Sequence, residues 1–506
     1  MKKTAIMLMF MAIISKIFGF GREIALSYFY GASMVSDAYL ISQTIPGTIF
    51  AFIGAGIATG YIPVYTEVEK NQSQKDADKY TSNLLTVVFL FSGIIILVIN
   101  LFPEFFVKIF ASGFDAEVLE LASGFTRISI VGILFYGISH ILKAYLQIKE
   151  NFFTPSILGI PFNLIIVIFI IISGVYSEHL LPYGIVIAML IEVIILLYSS
   201  RNKGFAYKNH NPLHDKNIKR LLWIALPVVL GTSVNQINTL VDRTLASRIV
   251  IGGISALNYG NRLNYFIQGI IVTSIATVIY PSISRMSAQN NIAGVKAKVI
   301  QSLNSISIFL IPSSIGMMLF SKQIVAFLFG RGAFDNNALE LTSQVLFYYS
   351  LGTLGVGIRE VLSRAFYAFK DTKTPMINAG IGMVINILLN VIISYYIGVP
   401  GLALATSISA LVTALLMFRS LKIKIGKLGI KKYLNSLLKI VFASFVMALA
   451  ASYLYNSLNL GSNISLIIAV IFGGLIYLIM ILVLKVEIAV EMFLVVKKKL
   501  LMIRTR

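Results

Sequence analysis

Lysine, arginine and acid residues stand inside segments that are otherwise apolar. The stretch SKIFGFGRE places Lys16, Arg22 and Glu23 in one such run, and Asp37 follows in the next. Farther along come Arg127, then Asp242 and Arg243, Arg262, and the group Arg359, Glu360 and Arg364. A charge in hydrocarbon costs about 2.5–3.5 kcal/mol at mid-helix on insertion scales, so such residues should face protein or water. Two arrangements satisfy that demand. Pairs of opposite charge can fix helix register, which suits neighbours such as Arg359 and Glu360 best. Alternatively, cations on the walls of a wet cavity can hold an anion, and arginine forks match phosphate oxygens two at a time. Arg22 and Arg262 fit the cavity reading better, because they fall in opposite halves of a duplicated chain.

A second set of polar residues offers oxygen atoms. SVNQINTLVDR at 233–243 puts Asn235, Asn238 and Asp242 on one helix face, and NILLN at 386–390 does the same for Asn386 and Asn390, with Thr406 to follow. Carboxylate, amide and hydroxyl oxygens converging inside a helix bundle suit a sodium ion. Hydrogen-bonded glue between helices accounts for them equally well. FIGAGIATG at 52–60 reads as a close-packing helix face through Gly56 and Gly60.

The elements that must carry these residues are membrane helices. Of 506 residues, 57% are hydrophobic and only 12% charged, and the mean hydropathy is +0.86. Hydrocarbon offers backbone groups no water, so each apolar run must close its own hydrogen bonds as a helix. Fourteen spans are expected, at 5–29, 36–64, 80–110, 119–147, 156–175, 181–200, 220–249, 254–282, 299–328, 337–369, 376–397, 400–418, 434–456 and 464–485. The first is too long for a cleaved signal peptide and lacks a small-residue cleavage site. The loops 201–220 and 419–432 hold six Lys/Arg each, whereas the turns of the other side hold only Arg331. The positive-inside rule therefore puts both termini in the cytoplasm, and the net charge of +21 reflects loops rather than a nucleic-acid partner. Trp223 beside Lys219 and Arg220 suits either an interfacial anchor or a packed core position.

The chain repeats itself. IATGYIP at 57–63 resembles IATVIYP at 275–281, GFDAEVLELAS at 113–123 resembles AFDNNALELTS at 333–343, and Thr154-Pro155 matches Thr374-Pro375 at a spacing of 220. The expected organisation is an N-lobe over 1–200, a basic linker at 201–219, a C-lobe over 220–418, a basic loop at 419–433, two further helices over 434–485, and a basic amphipathic tail at 486–506. Six crossings per lobe make the repeats parallel, a transporter layout. The chain has no cysteine, no GxxxxGK[ST] loop and no HExxH pair. Disulfides, thiolate metal sites, an ATPase engine and zinc hydrolysis of that kind are thus excluded, and an enzymatic role is not expected.

SKIFGFGREIALSYFYGASMVSDAYLISQTIP and RAFYAFKDTKTP resemble the MurJ (MviN) lipid II flippases, within the multidrug/oligosaccharidyl-lipid/polysaccharide exporter superfamily. The likeness covers essentially the whole chain. It implies a multi-pass carrier of the bacterial inner membrane, without a resident cofactor, that flips undecaprenyl-pyrophosphate-linked peptidoglycan precursor by alternating access. Membrane lipids are expected partners, and cell-wall synthesis enzymes are candidate ones. By that resemblance Lys16, Arg22 and Arg262 are substrate-binding cations and Glu23 and Asp37 their acidic companions, with Arg127 and Arg359 added from the intramembrane charges. The family's sodium site would fall on Asp242, Asn386, Asn390, Leu402 through its carbonyl, and Thr406, and its lipid-tail groove on the last two spans. Phe50 and Tyr265 stand where many or some members carry an arginine and a glutamate, Lys16 replaces a common arginine, and Asn390 replaces an acid. A flippase for another polyprenyl-linked polysaccharide, a multidrug or cation antiporter, and a non-transporting scaffold are the competing readings. A cavity of mainly basic residues disfavours an exporter of organic cations.

Overall fold

The computed structural model describes residues 2–208, 215–491 and 494, and all regular structure among them is helical. The chain divides into two compact units: residues 1–255 with 331–338, and residues 256–330 with 339–506.

The first unit holds α1 (Lys2–Tyr30), α2 (Met34–Asn71), α3 (Gln74–Leu101), α4 (Pro103–Phe110), α5 (Ala116–Ser129), α6 (Gly132–Ile148), α7 (Phe153–Ile157), α8 (Gly159–Val175), α9 (Leu181–Asn202), α10 (Lys216–Ile249) and the first residues of α11 (Gly253–Ala288). Side-chain oxygens start several of them. Ser73 accepts from the Asp76 amide at 3.2 Å and Asp115 from the Val118 amide at 3.0 Å, taking up donors that a helix start leaves orphaned. Pro103 lacks an amide proton, so it opens α4 and closes the expected span 80–110 at Leu101. The glycines at 56 and 60 do what their spacing predicts. A methyl group at Gly56 would sit 2.5 Å from Cβ of Ala225, and one at Gly60 2.5 Å from Leu221, so α10 lies directly against α2. α10 therefore packs within the first compact unit. The first unit runs on to Ser255, past the basic stretch 201–219. A tyrosine cluster of Tyr61, Tyr65, Tyr80 and Tyr145 fills the core at one end.

The second unit holds the remainder of α11, then α12 (Ile292–Leu319), α13 (Ser321–Phe329), most of α14 (Asn336–Ala368), α15 (Lys373–Ile397), α16 (Val399–Ile425), α17 (Ile430–Ser457) and α18 (Ser462–Val483). α15 and α16 interlock through Gly382, beside the Thr413 hydroxyl, and Ser409 donates to the Gly382 carbonyl at 2.6 Å. α17 and α18 meet where Gly473 faces Ala451, and they are tied to α12 by Tyr433–Ser307 at 3.0 Å and Tyr477 to the Ile308 carbonyl at 2.6 Å.

The expected spans fall on helical chain, four of them (80–110, 119–147, 156–175 and 299–328) divided between two successive helices. Among the described residues, eleven helices are long and apolar enough to cross a membrane, or twelve if the bent pair α5–α6 counts as one crossing. The other two expected spans lie on α1 and α10, the helices that carry Lys16, Arg22, Glu23, Asp242 and Arg243. Trp223 is 78% exposed, which removes the packed-core alternative. Most of the expected basic tail lies outside the described residues.

The repeat is visible in backbone geometry. Glu150 and Lys370 both take left-handed φ, 56° and 58°, at the end of matched helices. Asn151 then accepts from the Thr154 amide at 3.2 Å, and Asp371 from the Thr374 amide at 3.0 Å. The same reverse turn is built twice, 220 residues apart.

Candidate functional site

The charges of the first unit occupy two different settings. On α1, Nη2 of Arg22 lies 2.7 Å from Oε1 of Glu23, with the two side chains 16% and 3% exposed. Adjacent helix positions do not normally face each other, so the arginine fork has folded back along its own helix. That bond engages one of five guanidinium N–H groups. α1 is seated against α8 through small contacts: Gly159 faces Ser15, Gly19 faces Asn163, and Gly174 faces Phe29. Lys16, one turn and a half earlier, is exposed, and Arg127 on α5 is exposed without an ion-pair partner among the described residues.

Asp37 is 1% exposed and fully engaged. Its Oδ2 accepts from the Gly252 amide at 2.8 Å. Its Oδ1 accepts from the Ser255 amide at 2.7 Å and also from the Ser255 hydroxyl. A carboxylate at the start of α11 meets the amide just before the helix, one of the amides that its first turn leaves orphaned, and the positive end of the helix dipole. These three bonds give Asp37 a positioning role at the start of α11.

Around Asp37 the repeat crosses over. The turn at 113 rests on Ser247 and Arg248, with the Gly113 amide donating to the Ser247 hydroxyl at 3.0 Å. The matched turn at 333 rests on the end of α1, its amide donating to the Tyr28 carbonyl at 2.8 Å. Gly332 has φ 65°, and a Cβ there would fall 2.2 Å from that carbonyl, so only glycine fits. Each repeat thus lends a loop to the first helix of the other.

Sequence reasoning passed over one further cluster. Lys143 and Glu192 form a 2.7 Å ion pair, side chains 30% and 13% exposed, and Ser139 also donates to Glu192. Beside it His140 packs on Phe50, which stacks on Tyr136. The signal was present as two opposite charges in separate apolar spans.

In the second unit, Arg262 is exposed on α11 and Arg359 is half-buried on α14. Glu360 pairs with Arg364 at 2.7 Å, one turn away, rather than with its neighbour Arg359. The oxygen set forms a chain. Asn390 donates to Asn386 at 2.9 Å, Asn386 to the Thr406 hydroxyl at 3.2 Å, and Thr406 to the Leu402 carbonyl at 3.0 Å. Four of the five expected sodium ligands are therefore joined in one buried network. Asp242 belongs to the other compact unit. At the end of α14, Asp371 takes a 2.5 Å bond from Lys424 and accepts from the amide and hydroxyl of Thr374. Burial pushes its carboxyl up, but Lys424 and the two Thr374 bonds outweigh that and bring it down to about 2.

A family model described as "Lipid II flippase MurJ" matches residues 26–472. The chain belongs to the MurJ family. It is therefore a multi-pass transport protein of the cell membrane. Among MurJ relatives, a probable lipid II flippase MurJ of Thermotoga maritima is 28% identical, covering 94% of each chain. A probable lipid II flippase MurJ of Buchnera aphidicola subsp. Baizongia pistaciae is also 28% identical, covering 91% of each. A solved MurJ structure in an inward closed conformation is similar with a TM-score of 0.81 at 26% identity, over 94% of this chain and 98% of that one. An inward-facing multidrug resistance transporter of the MATE family shares the fold, with a TM-score of 0.70 at 14% identity over 82% and 95%.

Proposed function

We infer that this chain translocates lipid II, the undecaprenyl-pyrophosphate-linked peptidoglycan precursor, from the cytoplasmic to the outer face of the membrane by alternating access. Arg22 carries the reading. It is an arginine kept mostly from solvent in mid-helix, held by Glu23 through one N–H and with further donors suited to pyrophosphate oxygens. Lys16, Arg127, Arg262 and Arg359 are the further cations that this reading assigns to the head group. The prenyl tail would stay in lipid along α17 and α18, whose outer faces expose Leu438, Phe445, Leu449, Ile471 and Leu478. Fourteen crossings with both termini cytoplasmic complete the topology. A cytoplasm-negative potential favours outward movement of an anion by about 2.3 kcal/mol per charge per 100 mV. A sodium ion held by Asp242, Asn386, Asn390, Thr406 and the Leu402 carbonyl would help reset the carrier. The donor set is all oxygen, which suits a hard cation.

The test is translocation of labelled lipid II in proteoliposomes, with a potential and a sodium gradient imposed one at a time. Translocation by the parent chain, lost in both Arg22→Ala and Arg262→Ala, is the expected result. Full activity in both variants would remove the phosphate-binding role. Movement of another polyprenyl-linked saccharide in preference to lipid II would select the alternative cargo.

A further inference from the structure

The second unit contains a cavity of about 760 Å³ unrelated to the residues above. It opens where the start of α12, the 427–429 turn, the start of α17 and residues 487–491 come together. Four lysines line it, Lys296, Lys298, Lys427 and Lys432, against two glutamates, Glu487 and Glu491. Lys432 and Glu487 neutralise each other in a 2.9 Å pair at an exposed rim. Lys298 donates to Gln301 at 2.9 Å. Lys296 is half-buried and has no ion-pair partner among the described residues. Its ammonium lies beside Gly426, whose φ is 81°.

Three features point to a ligand. A half-buried ammonium without a counter-ion is costly unless an anion supplies one. At the back of the cavity Asn304 is only 6% exposed, and its side-chain oxygen has no hydrogen-bond partner. A carboxamide that lines a cavity can turn to present either its oxygen or its two N–H donors. Finally, α17 starts at Gly429, in left-handed conformation with no side-chain cap, so its first amides and dipole add positive potential at the same place. Apolar Met286, Ile300, Leu428 and Ile488 complete the lining.

We propose that this cavity binds a phosphate-bearing anion, with Lys296 and Lys427 as the charge partners and Asn304 as the buried donor. The mixture of lysine rim and apolar wall matches an anionic phospholipid head group entering from the bilayer surface. A soluble phosphate ester shares the same chemistry.

The full-length chain, purified in neutral detergent, is titrated calorimetrically at low ionic strength with dioctanoyl phosphatidylglycerol, dioctanoyl phosphatidylcholine and inorganic phosphate. Saturable binding of the phosphatidylglycerol, at least tenfold tighter than the phosphatidylcholine, is expected. The double variant Lys296→Gln/Lys427→Gln should weaken it at least tenfold, while Lys75→Gln, on α3, leaves it unchanged. Asn304→Asp places an anion at the back of the cavity and should abolish binding, with a monodisperse, helical protein as the control for folding. Inorganic phosphate that displaces the lipid at low millimolar concentration, or binds when the lipid does not, assigns the site to a soluble anion; failure to displace assigns it to the lipid. Binding of neither probe, equal binding of the two lipids, or equal affinity in parent and double variant overturns the proposal.

Discussion

Glu23 and Asp37 are both buried acids from the first two helices, and the molecule uses them in opposite ways. Glu23 holds the side chain of its own neighbour, Arg22. Asp37 holds backbone amides more than two hundred residues away, at Gly252 and Ser255. A side-chain partner on the same helix can be released by a small rotation. Backbone amides at a helix start cannot turn away without moving the helix. The pair at Arg22 is therefore fit to exchange one anion for another, whereas Asp37 fixes where α11 begins.

Arg22→Ala tests the first half of that contrast most severely. Precursor translocation should fall at least a hundredfold, and the protein should lose about 3–5 kcal/mol because the buried Glu23 loses its Arg22 ion pair. Arg22→Ala/Glu23→Ala should recover most of the stability, read by thermal unfolding, and none of the transport. Recovery of both would mean that the pair is only structural.

Asp37→Asn probes the other half. It keeps the shape but loses charge-assisted bonds to two amides, and should cost about 1.5–3 kcal/mol. Hydrogen exchange at Gly252 and Ser255 should accelerate, while exchange around Arg22 stays unchanged. Equal acceleration at both places would erase the distinction between the two acids.

The neutral network of the second unit supplies an intermediate case. Asn386→Leu removes the acceptor of the Asn390 amide and the donor to the Thr406 hydroxyl, at about 1–3 kcal/mol. If these residues hold sodium, stabilisation of the parent by sodium over potassium should vanish in the variant. If they are glue alone, the parent shows no such preference.

The smallest effect belongs to Asp371. Its folded carboxyl titrates near 2, below the ordinary value of 3.8, so its contribution is complete above about pH 4 and is lost as pH falls from 4 towards 2. Lys424→Met should narrow that window and raise it, seen in the pH dependence of the unfolding midpoint. No change is expected between pH 5 and 7.

Much of this architecture was legible because membrane helices announce themselves by length and hydropathy, and because a duplicated chain repeats its turns. Thr154-Pro155 and Thr374-Pro375 pointed to the same reverse turn that Glu150 and Lys370 now display. Gly56 and Gly60 gave a packing face but not its partner, which is α10. The bonds that Asp37 takes from Gly252 and Ser255 could not be read, because backbone amides leave no trace in residue type. Glu360 was paired with Arg359 by adjacency, although helix geometry favours the i, i+4 partner Arg364. Lys143 and Glu192 went unread because neither sits in a motif, only in an apolar span where any charge is informative.

The crossed loops bear on how the chain is made. The Tyr28 carbonyl waits for the amide of Ala333, and residues 256–330, which belong to the other unit, emerge between them. During synthesis the first unit remains one loop short of its final form until nearly two thirds of the protein has left the ribosome. Chains truncated before residue 331 should insert and still be the better substrates for quality-control proteases.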